Sequence, residues 1–483
     1  MKYFGPFQYE TEPGPTPSQV KVGIVGNADT LSSTSRIIEA LGKPITSSES
    51  NKWLYPDFPG FSTNTSIGCD LVTSETWNIG LRERQIEEAV DIDDVNQRIA
   101  KAVNLFRDAI QEISIEEDLP AVVICAVPAR IEQKCGISIW TRGAKRLKFA
   151  ESERIAAELE KAGQSLLDEW GFTLKRKESE TPPDTDLDFH NALKGKVMRF
   201  GIPIQILLES TIHKFLRDRE GKATEFQDPA TFAWNFSTAL YYKASGKPWR
   251  LAKLRNDTCY VGISFFHNLL NPDLDVQTSM AQFFASSGEG IVLRGADVIV
   301  DKRTREPHLS ALQAERLMSE LLVKYRDKVG HDPARVVVHK TSNFSTDEVR
   351  GLDRAIGSKA RDYVTIARRS NFRFLRSGEY PVLRGTVVYL ASNKCLLFTS
   401  GYAPRIRTYP GSRIPEPLLI TRIGDSQLKE VCQEIMGLTK LNWNTTSFVT
   451  SLPITVEFAR RVGGVMSELS KDVQVQEHYR FYM

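Results

Sequence analysis

The chain has 483 residues, 41% hydrophobic and 25% charged, with a net charge of +3. This is ordinary globular composition, long enough for two or three domains that each bury a core. No apolar run reaches the roughly 20 residues needed to span a bilayer, and Met1 to Pro17 carries no signal-peptide pattern; a cytoplasmic protein with no membrane partner is expected.

In chain order, Val20 to Gly26 reads as a short buried strand ending in glycine, and Ser33 to Leu41 as a helix. Ser47 to Gly68 is rich in Ser, Asn, Pro and Gly and reads as loop. Ile86, Val90, Val95, Ile99, Val103, Phe106 and Ile110 recur near helical spacing. A second unit begins near Leu119 with the apolar run Ala121 to Val127. Helix is expected over Glu151 to Trp170, strand over Thr173 to Arg176, loop over Glu178 to Asp186 and helix over Asp188 to Met198. Strand is expected again over Ile202 to Glu209 and helix over Thr231 to Ala244. Such alternation predicts an α/β fold with a largely parallel sheet, whose ligands sit at the carboxyl ends of the strands.

A third unit begins near Thr258. Strands are expected at Cys259 to Phe266, Met280 to Phe284 and Gly290 to Val300, then a long helix from Ala311 to Val329 and a strand from Arg335 to His339. Ser345-Thr-Asp-Glu348 is a capping pattern opening a helix to Ile356. Further strands are expected at Tyr363 to Ala367, Thr386 to Leu390 and Cys395 to Thr399. Three strands, a helix, then alternating strand and helix is the ribonuclease-H-like order.

The six cysteines form no C-x-x-C pair and suit no zinc site, so buried free thiols are expected. Charge is uneven. From Arg350 to Ile423 there are twelve Arg and two Lys against four carboxylates, a local +10 that leaves −7 over the rest. Positive charge concentrated on a near-neutral protein points to a polyanion. No G-x-x-x-x-G-K-[ST] or G-x-G-x-x-G is present, which speaks against a nucleotide enzyme of the usual phosphate-loop kinds.

The most informative stretch is Asp188-Phe-His-Asn-Ala-Leu-Lys-Gly-Lys196, followed by Gly201-Ile-Pro-Ile-Gln205 and, downstream, Lys243-Ala-Ser-Gly-Lys-Pro-Trp249. His190 and Lys194, four apart, share one helix face. This pattern of H-x3-K, G-I-P-x-Q and K-x-x-G-x-P-W resembles the MID domain of Argonautes. The resemblance extends to short PIWI signatures in order: Val261-Gly-Ile, His339-Lys, Thr421-Arg-Ile-Gly-Asp425 and Leu452-Pro-Ile-Thr455. It implies a Rossmann-like MID domain over 116–252 and a ribonuclease-H-like PIWI domain over 253–483, with 1–115 packing on both and no PAZ or N domain.

By that resemblance Lys194 and Lys243 neutralise the 5′-phosphate of a guide strand, and Gln205 donates to it or positions a metal. The His190 ring stacks under the first base. Met483, closing the apolar tail His478-Tyr-Arg-Phe-Tyr-Met483, supplies a carboxylate; Mg²⁺ at the guide phosphate would rest on Gln205 and Met483, in a structural role. Cutting relatives hold two metals with carboxylates, but here Ser264, Thr341, Ser342 and Arg460 stand where carboxylates or His are needed. Glu289 lies near the region of a mobile glutamate and alone holds no metal pair. The resemblance therefore implies a short prokaryotic Argonaute without cleavage activity. Arg368, Arg369, Arg373, Arg405 and Arg407, interleaved with aromatic residues, would follow the backbone of a guide–target duplex. The implied partners are a guide RNA, a single-stranded target DNA, and an APAZ-containing effector protein with a sirtuin-like or TIR NAD-degrading domain, acting together in abortive infection. A stand-alone guide-directed binder or nuclease is the alternative.

Overall fold

The computed structural model describes residues 1–6, 17–137, 187–219, 227–251, 254–255, 257–267, 277–284, 290–297, 299–300, 307–368, 372–409, 414–443, 450–469 and 475–483. The elements expected between Glu151 and Asp186 lie outside the described residues, as do Arg369 and Glu289.

Apolar runs of strand length become the interior of a parallel sheet. Its strands are β1 (Gln19–Gly26), β2 (Asp70–Val72), β3 (Asn78–Gly80), β4 (Val122–Val127) and β5 (Ile204–Leu208). The order is β2-β1-β4-β5, with β3 also on β1, and every pairing is parallel. Around it lie α1 (Ala28–Leu41), α2 (Glu83–Val90), α3 (Val95–Ile113), α4 (Ala129–Lys134), α5 (Phe189–Val197), α6 (Glu209–Arg219) and α7 (Pro229–Lys243). Side chains alternate across a strand, so the sheet feeds two cores. Val22, Ile24, Val122 and Ile124 pack with α1, α6 and α7, while Val25, Val123, Cys125 and Val127 pack with α2, α3 and α5. The sheet runs across the boundary drawn at 115/116, because β1 pairs with β4 from Val22↔Val122 onward. The single helical pattern of Ile86 to Ile110 is two helices. Asp94 ends the break between them by accepting from Gln97 N as the N-cap of α3.

The second sheet is mixed. It contains β6 (Thr258–His267), β7 (Gln277–Phe284) and β8 (Gly290–Asp297). A short pair follows, β9 (Ile299–Val300) with β10 (Pro307–His308). Then come β11 (Arg335–Lys340), β12 (Ala360–Ala367), β13 (Val387–Ala391), β14 (Lys394–Leu397) and β15 (Leu418–Gly424). The eight-stranded order is β13-β14-β15-β12-β11-β6-β7-β8. β6, β11 and β12 are parallel, and the rest of the sheet joins antiparallel. This is the ribonuclease-H-like order, extended past β12 by three strands. One face carries α8 (Ala311–Val329) and α9 (Thr346–Ile356), the latter opened by a capping box on Ser345 and Glu348. The other carries α10 (Leu428–Leu438) and α11 (Ile454–Met466).

Two close approaches fix α11. A Cβ on Gly262 of β6 would lie 2.2 Å from the Thr455 carbonyl oxygen, and one on Gly195 of α5 would lie 2.7 Å from Leu469. Asp188 N donates to Glu468 Oε1 at 2.9 Å. The last helix of the second unit is thus wedged between β6 and α5 of the first. No helix among the described residues is long and apolar enough to cross a membrane.

Candidate nucleic-acid interface

The expected phosphate residues meet at this wedge. Asp188 caps α5 by accepting from Asn191 N, which starts the helix so that His190 and Lys194 share a face. Lys243 ends α7 and is almost fully buried. Its ammonium donates to the Ile204 carbonyl (2.7 Å), to Gln205 Oε1 (2.7 Å) and to the Met483 oxygen (3.3 Å). The cluster therefore lies where β5 begins. In the first sheet the expectation of a site at the carboxyl ends of strands is not met by these residues, because α5 enters β5 from its amino end.

Burial holds the Lys243 ammonium well below the usual lysine range, and Lys194 and Arg461 push the same way. Lys194 is lowered to about 8, by burial first and then by Arg461. His190 is lowered to about 4 by burial, with Lys194 adding to it, so the imidazole is neutral at pH 7. Three basic groups crowded together, each disfavouring the charge of the others, are a place prepared for an anion. Beside them a cleft of about 260 Å³ is lined by His190, Gln205, Thr211, Phe232, Asn235 and Phe236. Its neutral aromatic walls suit a planar ring.

Arg461 is the member that the sequence pattern did not reveal. It stands on α11, one turn after Glu457, and the Glu457-x-x-Arg-Arg461 spacing on one helix was the available signal. Gln205 Oε1 and the Met483 oxygen both bond the same ammonium, so they lie close together. Hard oxygens of this kind fit Mg²⁺ where a phosphate shares the site.

The second expected locus is the carboxyl edge of β6, β11 and β12. Ile263 pairs with Lys340, so Ser264 and Thr341, each one residue further, are neighbours there. Ser264 Oγ donates to the Ala459 carbonyl at 2.8 Å, and Thr365 Oγ1 donates to the Ser342 carbonyl at 3.5 Å. Arg368 follows β12, and Arg460 faces the same edge from α11. The sequence reading passed over one carboxylate. Glu457 is largely buried and takes Arg460 at 2.9 Å, Arg461 at 3.4 Å and Arg368 at 4.0 Å. Burial alone would raise its pKa, but Arg460, Arg461 and Arg368 outweigh that and hold it below its usual range.

The other arginines are dispersed. Arg373 pairs with Glu416. Arg405 stands on the rim of a separate groove of about 970 Å³ with Arg384, Lys429 and Lys440, over an apolar floor that includes Leu254 and Met436. Arg407 is exposed at the end of a short turn. The six cysteines are free and buried, with Cys395 and Cys432 sulfurs 3.4 Å apart. Among the described residues, one trio of His, Cys, Asp or Glu groups has donor atoms within 4.8 Å of one another: Asp29, Glu209 and His213, at the opposite end of β5 from Gln205.

No protein-family model matches the sequence, and no curated protein matches it. Solved structures do. The chain is similar to Clostridium butyricum Argonaute bound to a guide DNA and a 19-mer target DNA, with a TM-score of 0.59 and 14% identity over 95% of this chain and 49% of that one. It is similar to A. aeolicus Argonaute (0.53, 14%, 99% and 50%) and to Drosophila Piwi (0.56, 10%, 96% and 52%). The chain thus spans about half the length of the structures it matches. A parallel sheet followed by a ribonuclease-H-like mixed sheet, with the last helix wedged between them, is an Argonaute-like MID–PIWI fold.

Proposed function

We propose that this chain is the guide-binding subunit of a two-protein prokaryotic defence system. A 5′-phosphorylated guide RNA anchors its end on Lys194, Lys243, Gln205 and Arg461, with its first base in the cleft beside His190. The guide then pairs with single-stranded target DNA, and base pairing supplies the specificity. The observation that carries this reading is the convergence of Lys194, Lys243 and Arg461 beside Gln205 and Met483. A terminal phosphate, with more charge than an internal one, is the ligand that best offsets three crowded cations. Gln205 and Met483 would hold Mg²⁺ there, and the ion would add positive charge at the phosphate.

Cutting is not part of this function. The residues at the β6, β11 and β12 edge, Ser264, Thr341, Ser342, Arg368 and Arg460, offer no paired carboxylates for two metals. A bound, uncut target serves as a signal instead. In this reading a partner chain with an APAZ region takes the place of what the longer Argonautes carry outside the match. That partner bears the effector, a sirtuin-like or TIR domain that degrades NAD and ends the infected cell.

The test is the affinity for a guide RNA with a 5′-phosphate against the same RNA with a 5′-hydroxyl. The phosphate is expected to gain about 10- to 100-fold, the scale of one or two charge-assisted hydrogen bonds. Lys194→Ala and Lys243→Met are each expected to remove most of that gain. Equal binding of the two ends by the unaltered protein would sink the reading.

A further inference from the structure

At the carboxyl edge of β6, β11 and β12, three guanidiniums surround the carboxylate of Glu457. Arg460 and Arg461 come from its own helix, α11, and Arg368 from the end of β12. The carboxylate is 13% exposed, whereas Arg368, Arg460 and Arg461 are 50%, 43% and 34% exposed. The acid is therefore the buried centre and the guanidiniums are the accessible rim. Arg368 also donates to Ser451 Oγ at 3.1 Å, which fixes its reach over α11. Three positive charges and one negative leave this patch at +2. That balance repels a divalent cation and attracts an anion.

A guanidinium has five N–H donors, and one carboxylate with two oxygens cannot use them all. Donors therefore remain over, and all three guanidiniums keep accessible surface. We propose that Arg368 and Arg460, held in place by Glu457, form a metal-independent clamp for an internal phosphodiester of the target strand. In this arrangement arginines do what a metal pair does in a cutting enzyme, with one difference. They bind the phosphate without activating a water, so the strand is held and left whole. Glu457 is a positioning residue and touches no nucleic acid. The inference rests on the guide-binding reading but concerns a different phosphate from the one at the strand's 5′ end.

The discriminating substitution is Glu457→Gln. Removing an acid from a polyanion-binding surface raises its positive charge, so a merely additive surface would bind target more tightly. The clamp predicts the opposite, because the guanidiniums lose the group that orders them. With protein preloaded with guide, target DNA affinity is measured across a salt series at fixed Mg²⁺ and again with EDTA, with the guide retained by the protein quantified in both. Arg368→Ala/Arg460→Ala is expected to weaken target binding and to lower the slope of log K against log salt by about 1, for the one phosphate the pair neutralises. Glu457→Gln is expected to weaken it about 3- to 10-fold, the order of one ordinary hydrogen bond. The control is Arg350→Ala/Arg354→Ala on α9, which removes two equally exposed charges paired with Asp347 and Glu315. A target carrying one methylphosphonate at successive positions should show a loss at one position in the unaltered protein and none there in the Arg368→Ala/Arg460→Ala variant. The clamp is overturned by tighter binding in Glu457→Gln with unchanged thermal stability. It is overturned equally by a slope change no larger than the control's. The 5′-phosphate preference, read in parallel on Arg368→Ala/Arg460→Ala, which leaves Arg461 in place, reports separately on the guide site.

Discussion

Lys194 shows what burial does to a single residue. The free protein holds its pKa near 8, because burial and Arg461 penalise the ammonium. A bound phosphate dianion favours the ammonium and raises that pKa, so binding above pH 8 must take up a proton. The Lys194 contribution to affinity for a 5′-phosphorylated guide is therefore full below about 8 and falls as pH rises through it, by up to about tenfold per unit for one coupled proton. On the acid side the affinity falls below about pH 6, where the phosphate itself takes a proton. A titration of affinity from pH 5.5 to 9.5 tests this. Lys194→Arg should make the alkaline limb shallower, since arginine keeps its charge throughout. A flat profile to pH 9.5 in the unaltered protein would mean Lys194 does not face the phosphate. His190 and Lys194 could be paired from the sequence because they are one helical turn apart, whereas Gln205 and Lys243 lie far along the chain and were added only by the family resemblance. Arg461 and Glu457 were not legible, since their meaning depends on α11 being pressed between two units, which no local spacing encodes.

Among the elements, α11 bears most of the argument: it contributes Glu457, Arg460 and Arg461, and it is seated by Gly262. The methyl of Gly262→Ala would fall 2.2 Å from the Thr455 carbonyl. Backbone cannot give way as a flexible side-chain tip can, so the expected loss is about 3 kcal/mol of stability, the upper range of overpacking. Chemical denaturation measures that loss, and target affinity should fall with it, since the arginine cluster moves with the helix. Gly80→Ala, whose methyl meets only Leu31 Cδ1 at 3.7 Å, should change neither. Unchanged stability in Gly262→Ala would show that α11 sits elsewhere. The long elements were readable from pattern. The long helix expected over Ala311 to Val329 forms with those bounds, and Ser345 caps the next helix as its sequence implies. The three-residue strands β2 and β3 left no period to detect. The two helices α2 and α3 share one phase of apolar residues, so they read as one until the break at Asp91 to Asp94 was seen.

For the whole molecule, the segment from Arg350 to Ile423 was legible as a charge of +10 but not as a surface. Its arginines turn to different partners. Arg368 turns to Glu457, Arg373 to Glu416, and Arg405 to the rim of the apolar groove. Sequence counts charges, while the alternation of strands and turns decides where each one points. What the fold does collect is a chain of cations running through α11, from Lys243 and Lys194 at the start of β5 through Arg461 to Arg460 and Arg368 at the ends of β11 and β12. Two-metal cleavage needs negative charge at that second end, and the guanidiniums around Glu457 leave it positive. Guide-loaded protein is therefore expected to retain a complementary DNA at full length through prolonged incubation with Mg²⁺ or Mn²⁺, while a filter or gel assay shows the same DNA bound. A cut at a fixed distance from the guide's 5′ end would require carboxylates to reach this edge from elsewhere in the chain. It would also remove the reason for a held target to signal through a partner.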